Sequence, residues 1–123
     1  MTLDNFEQSL LDGWEDVHKK SQLGLWIFLA LRDGPKHMAL IKSFISDATN
    51  GSMQADDKSM YRTLRRFKEG LMIDFRSVES KSGPDLKQYF LTDSGKKVLA
   101  EFLERNIKLF YQPSIVQLVN NAS

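Results

Sequence analysis

Asp56-Asp57-Lys58-Ser59-Met60-Tyr61-Arg62-Thr63-Leu64-Arg65-Arg66-Phe67-Lys68-Glu69-Gly70-Leu71 reads as one helix with two unlike faces. Met60, Leu64, Phe67 and Leu71 recur at spacings of four, three and four, which lines them up on one stripe. Lys58, Arg62, Arg65 and Arg66 point elsewhere. Asp56 or Asp57 caps the start, where a carboxylate accepts from free backbone N–H groups and meets the positive end of the helix dipole. Gly70 is expected to end the helix in the left-handed conformation that glycine adopts without steric cost. Past the leading aspartates, three arginines and two lysines face only Glu69. A charge run of this kind is either a solvated face or a phosphate-facing one. The apolar stripe that anchors it favours the second.

The rest of the chain supplies a setting for that helix. With 123 residues and a net charge of +1, the chain fits one small domain, and any surface for nucleic acid must be a local patch. The charge is uneven: Asp4, Glu7, Asp12, Glu15 and Asp16 make the first eighteen residues acidic, whereas Lys58 to Lys68 is basic. There is no cysteine, which fits a reducing cytoplasm. The longest apolar run, Leu23 to Leu31, is too short to span a bilayer, and the N-terminus lacks the pattern of a signal peptide. No membrane partner is expected.

Upstream, Leu3, Phe6, Leu10, Trp14 and Val17 form a narrow apolar stripe on a first helix, with the acidic residues opposite. Ser21 opens a second helix running to Arg32 that is apolar nearly all round, and Asp33-Gly34-Pro35 stops it. A third helix spans Lys36 to Ala48. Downstream of Gly70 the period falls to two. Met72 or Ile73, Phe75 and Val78 mark one strand and residues 86–91 a second, joined by the turn-rich stretch 79–85. Thr92 or Asp93 then caps a last helix from Ser94 to about Tyr111, and Pro113 breaks it. On that helix Leu99, Leu103, Ile107 and Phe110 form one stripe, with Val98, Phe102 and Leu109 beside it. Such a broad apolar face marks a subunit interface, and Leu99, Leu103 and Ile107 are its expected dimerisation residues.

This order describes a mainly α fold with a small two-stranded hairpin. It is a winged helix-turn-helix (residues 21–92) between an N-terminal amphipathic helix (1–20) and a C-terminal dimerisation helix and tail (93–123). In this arrangement the third helix of the unit enters the DNA major groove and the hairpin tip reaches the flanking backbone. The candidate DNA-binding residues are Lys58, Ser59, Tyr61, Arg62, Thr63, Arg65, Arg66, Lys81 and Lys87. Of these, Ser59, Arg62, Thr63 and Arg66 are assigned to bases or nearby phosphates. Arg65, Lys81 and Lys87, together with Lys68, are assigned to backbone.

Three segments resemble the PadR family of transcriptional regulators: Asp33 to Lys42, Ser59 to Met72 and Gly83 to Gly95. The family pattern is matched at Ser59, Tyr61, Leu64, Arg66, Gly70-Leu71, Tyr89, Leu91, Thr92 and Gly95. It departs at His37-Met38-Ala39, where the family often has His-Gly-Tyr, and at Leu86-Lys87-Gln88-Tyr89, where it often has Arg-Lys-Tyr-Tyr. The resemblance implies a homodimer built from N- and C-terminal helices, binding double-stranded DNA as a repressor that a small effector relieves. Phe6, Trp14, Phe102 and Phe110 either line a pocket for a small aromatic effector or form the dimer core. The competing function is a winged helix used for protein association, with DNA binding lost.

No enzyme, cofactor or metal is expected. Nucleophile, phosphate-loop and zinc signatures are missing from the sequence. His37 reads as a helix-start residue, His18 as a surface residue, and Asp56-Asp57 as caps rather than an acid/base pair.

Overall fold

A computed structural model describes residues 2–122. The elements are α1 (Asn5–Asp33), α2 (Met38–Ala48), α3 (Asp57–Glu69), β1 (Ile73–Val78), β2 (Leu86–Leu91), α4 (Asp93–Asn106), a 3-10 turn (Lys108–Tyr111) and α5 (Pro113–Asn120).

The first two expected helices are one. Nothing at Lys19-Lys20-Ser21 breaks the backbone ladder, and i,i+4 ion pairs span the junction. Lys19 meets Glu15 and Lys20 meets Asp16, each at 3.0 Å. The Ser21 hydroxyl, read as a helix start, instead donates to the His18 carbonyl at 2.8 Å. The boundary between residues 20 and 21 therefore lies inside a continuous rod. Asp4 opens that rod with a capping box shared with Glu7. It closes at Gly34, whose φ of 156° suits only glycine. Lys36 helps to end it: its Nζ donates to the Ala30 carbonyl at 2.8 Å and pairs with Asp33 at 2.7 Å.

The C-terminal helix is shorter than expected. It stops at Asn106, and the chain continues as the 3-10 turn and α5. Phe110 therefore leaves the stripe of Leu99 and Leu103.

The core sits where α1, α2, α3 and the hairpin base converge, with Ile27, Ile41, Ile45, Met60, Leu64 and Ile73 fully buried. The strands pair antiparallel, from Ile73 opposite Leu91 at the buried base to Val78 opposite Leu86 near the exposed tip. Lys36 adds a bridge to Tyr89 through reciprocal backbone bonds of 3.0 and 2.9 Å. That bridge fixes the start of α2 to the wing.

Candidate nucleic-acid interface

The basic helix is held by its cap. Asp56 accepts from the Ser59 backbone N–H at 2.8 Å and from the Ser59 hydroxyl at 3.0 Å. These bonds, the backbone one first, hold its carboxyl below the usual carboxylate range, and Arg62 adds a smaller attraction. Ser59, expected at a base or a nearby phosphate, is thereby engaged by the cap and stands on one flank of the helix.

The far end differs from expectation in a specific way. Gly70 keeps a helical φ of −81°, and Leu71 is the residue at φ 62°. The bonds are those of a Schellman ending: the Met72 N–H donates to the Phe67 carbonyl and the Leu71 N–H to that of Lys68. Leu71 is 74% exposed and belongs to no apolar stripe.

The inward side of α3 is wider than the stripe read from the sequence. Thr63 is only 7% exposed, among Met60, Leu64 and Phe67. Its position three residues after Met60 and four before Phe67 puts it on their side of the helix. The expectation that Thr63 meets a base or a nearby phosphate is therefore corrected. The outward side carries Lys58, Arg62 and Arg65, again at spacings of four and three, and all are exposed. Arg66 lies on the same flank as Ser59, its guanidinium 5.7 Å from the Phe67 ring centre. Among the described residues none of Lys58, Arg62, Arg65, Arg66, Lys81 and Lys87 has an acidic partner within salt-bridge distance. Their charge is available to an anion.

On the other flank a cleft of about 550 Å³ brings Tyr61 and Lys87 together with His37, Lys42, Asp57 and Tyr89. Lys87 Nζ stands 4.7 Å from the Phe75 ring centre, and Lys68 Nζ stands 5.3 Å from it. Burial pushes the Tyr89 phenol up, with Tyr61 adding to the effect, so Tyr89 remains a neutral hydroxyl at physiological pH. His37 is the N-cap of α2: its Nδ1 accepts from the Leu40 N–H at 3.2 Å. The sequence reading missed Lys42, which reaches Asp57 at 2.6 Å and ties α2 to the start of α3. The available signal was its place four residues after Met38, which sets it at the edge of the buried face of α2, on the side of Met38. Lys81 is exposed at the wing tip, away from this cluster.

The remaining candidates are the apolar ones. Leu99 is 3% exposed within this chain's own core, which corrects its placement at a subunit interface. Leu103 packs against the same core and Ile107 is half-buried at the end of α4. Phe6, Trp14, Phe102 and Phe110 are all exposed, Trp14 to 76%. Phe102 lines a cleft with Phe28, Phe67 and Leu99.

The family model described as the transcriptional regulator PadR-like family matches residues 27–101. No curated protein matches. A PadR-like transcription factor from Bacteroides fragilis is 26% identical, with a TM-score of 0.64 over 90% of this chain and 99% of that one. Bacillus subtilis PadR in complex with operator DNA is 28% identical, with a TM-score of 0.59 over 66% of this chain and 46% of that one. A PadR-like regulator from Bacillus cereus shares the fold at 21% identity, with a TM-score of 0.63 over 84% and 92%. No helix among the described residues is long and apolar enough to cross a membrane. The matched span takes in α2, α3, the hairpin and the start of α4, and this chain belongs to the PadR-like family of transcriptional regulators.

Proposed function

We propose that this chain is a dimeric, sequence-specific DNA-binding regulator, a repressor relieved by a small-molecule effector. The observation that carries the DNA reading is the outer face of α3. Lys58, Arg62 and Arg65 project from a helix whose other side is locked into the core, and none has an acidic partner among the described residues. A major groove admits one such helix, and guanidinium groups suit both guanine edges and phosphates. Tyr61, Arg66, Lys81 and Lys87 serve the flanking backbone. Residues 21–92 are the DNA-binding unit.

The dimer reading rests on apolar surface that one chain leaves uncovered. Phe6, Leu10, Trp14 and Val17 line α1, and Phe102, Phe110, Leu118 and Val119 line the C-terminal elements. Aromatic and aliphatic faces of this extent are what a second copy buries. Residues 1–20 and 93–123 supply the interface, with Leu103 and Ile107 supporting it from within.

A gel shift on the DNA upstream of the chain's own gene, with excess unrelated competitor, tests the proposal. A shift that survives competitor supports it. No shift at low salt leaves a winged helix used for protein association as the better account.

A further inference from the structure

Tyr89 is only 6% exposed, yet its hydroxyl makes no hydrogen bond among the described residues. No buried polar atom there is left unsatisfied, so this oxygen opens to the cleft that Tyr89 lines, between α2, α3 and the wing. The same cleft collects other unused donors. The Tyr61 hydroxyl has no partner among the described residues either, and Lys87 has no carboxylate within salt-bridge distance there. His37 Nδ1 is taken by the Leu40 N–H, so the neutral ring carries its hydrogen on Nε2 and donates from there. Met38 and Ala39 open α2, where the first N–H groups have no acceptor within the helix, and both residues line the cleft. At position 39 the family often has tyrosine; the short side chain of Ala39 leaves the cleft open here. Two carboxylates are present. Asp57 is paired with Lys42, and Asp85 is exposed at the wing.

We propose that this cleft seats one phosphate of the DNA backbone, held by the Tyr89 and Tyr61 hydroxyls, His37 Nε2, the first N–H groups of α2 and Lys87. The proposal deepens the DNA reading above and rests on it. A phosphodiester brings several acceptor oxygens but a single charge, which matches neutral donors grouped around one unpaired lysine. A phosphomonoester brings more charge, and Asp85 leaves nothing to balance it. The volume of about 550 Å³ exceeds a bare phosphate ion and leaves room for the sugars attached to it. The opening is also well placed. Tyr61 follows Lys58 by three residues and precedes Arg65 by four, so it borders the outer face of α3. A phosphate held here touches α2, α3 and the wing together, and so fixes the register of α3 in the groove.

Fluorescence anisotropy of the full chain on the upstream duplex tests the seat. Tyr89→Phe should weaken binding about tenfold, as loss of a hydrogen bond to a charged group implies. It should leave the melting temperature unchanged, because the hydroxyl has no partner within the chain. The slope of log affinity against log salt should also stay the same, since a neutral donor displaces no counterion, whereas Lys87→Ala should reduce it by about 1 per subunit. Asp85→Asn should tighten binding. A neutral methylphosphonate at one backbone position per half-site should mimic Tyr89→Phe, and the two combined should weaken binding no further. The seat is overturned if Tyr89→Phe binds as tightly as the unsubstituted chain, if it melts earlier, or if its effect adds to that of every methylphosphonate position. Sodium phosphate in place of chloride at equal ionic strength should leave the affinity unchanged. A loss of affinity in phosphate that Tyr89→Phe removes makes the free ion the occupant and overturns the backbone assignment. No shift by the unsubstituted chain at low salt overturns the DNA reading and the seat with it; DNA binding indifferent to Tyr89 overturns the seat alone.

Discussion

The Met72 carbonyl oxygen occupies the space that a β-carbon on Gly95 would need. The first turn of α4 is thereby pressed against the segment that leaves α3. Thr92 completes the joint. Its hydroxyl donates towards the Leu71 and Met72 carbonyls at 2.7 and 3.1 Å and accepts the Gly95 N–H at 3.0 Å. Gly95→Ala must push two backbones apart, because neither contact is a flexible side-chain end. It should destabilise by about 1–3 kcal/mol in urea titration, the usual range for overpacking. Gly83→Ala, with nothing within 4 Å, is the matched control and should be near neutral.

Gly70 and Leu71 place the flexible residue one position too early. Leu71→Gly should relieve left-handed strain of about 1 kcal/mol without losing buried surface, and so raise the melting temperature. Gly70→Ala, at an ordinary helical φ, should be neutral or stabilising by up to about 1 kcal/mol. A melting temperature lowered by both substitutions contradicts this account of the turn.

Arg62→Ala and Arg65→Ala should each weaken DNA binding by about 1–3 kcal/mol, with relaxed sequence preference wherever the lost contact reads a base. Thr63→Val should change affinity little, since Thr63 is turned away from the outer face. If three or four cations per subunit meet phosphate, the slope of log affinity against log salt for the dimer should be about −5 to −7. Fluorescence anisotropy across a salt series measures both.

Asp56 gives a pH signature. Its carboxyl is held below the ordinary value of 3.8, so the unfolded chain takes up the proton first as pH falls. Its contribution is full above that value and is lost as pH drops through the lower folded one. The stability gap between the unsubstituted chain and Asp56→Ala should therefore be constant near neutrality and narrow below about pH 4. A gap independent of pH from 7 to 2 contradicts the charged cap.

Trp14→Asp should leave a folded monomer, because Trp14 touches no core within its own chain. Sedimentation velocity reads this directly. Leu99→Asp should instead unfold the chain, since it puts a charge into the core.

The hairpin and the turn at Asp33-Gly34 were legible because each depends on local chemistry, whereas the sequence left the cap of α4 between Thr92 and Asp93 and the structure gives it to Thr92. The break expected at Ser21 was not real. Ser21 resembles a cap in isolation, and only the ladder on both sides shows its hydroxyl serving an existing helix. Thr63 misled for a related reason: a polar side chain reads as outward until the width of the buried face is known. The cleft between α2, α3 and the wing was invisible to sequence reading, because its walls come from three elements far apart in the chain.

The unbroken α1 has a mechanical consequence. Twenty-nine residues make a rod about 43 Å long, rooted at one end beside the core at Ile27 to Leu31. If the free half is the handle by which two copies grip each other, the angle at the root sets the distance between their two α3 helices. DNA allows that distance little latitude, since half-sites repeat about every 34 Å. A swing of about 10° at the root moves the far tip by about 7 Å, two base-pair steps. A change of tilt at the root thus acts as a ruler adjustment, and changes which operator spacing the pair can span.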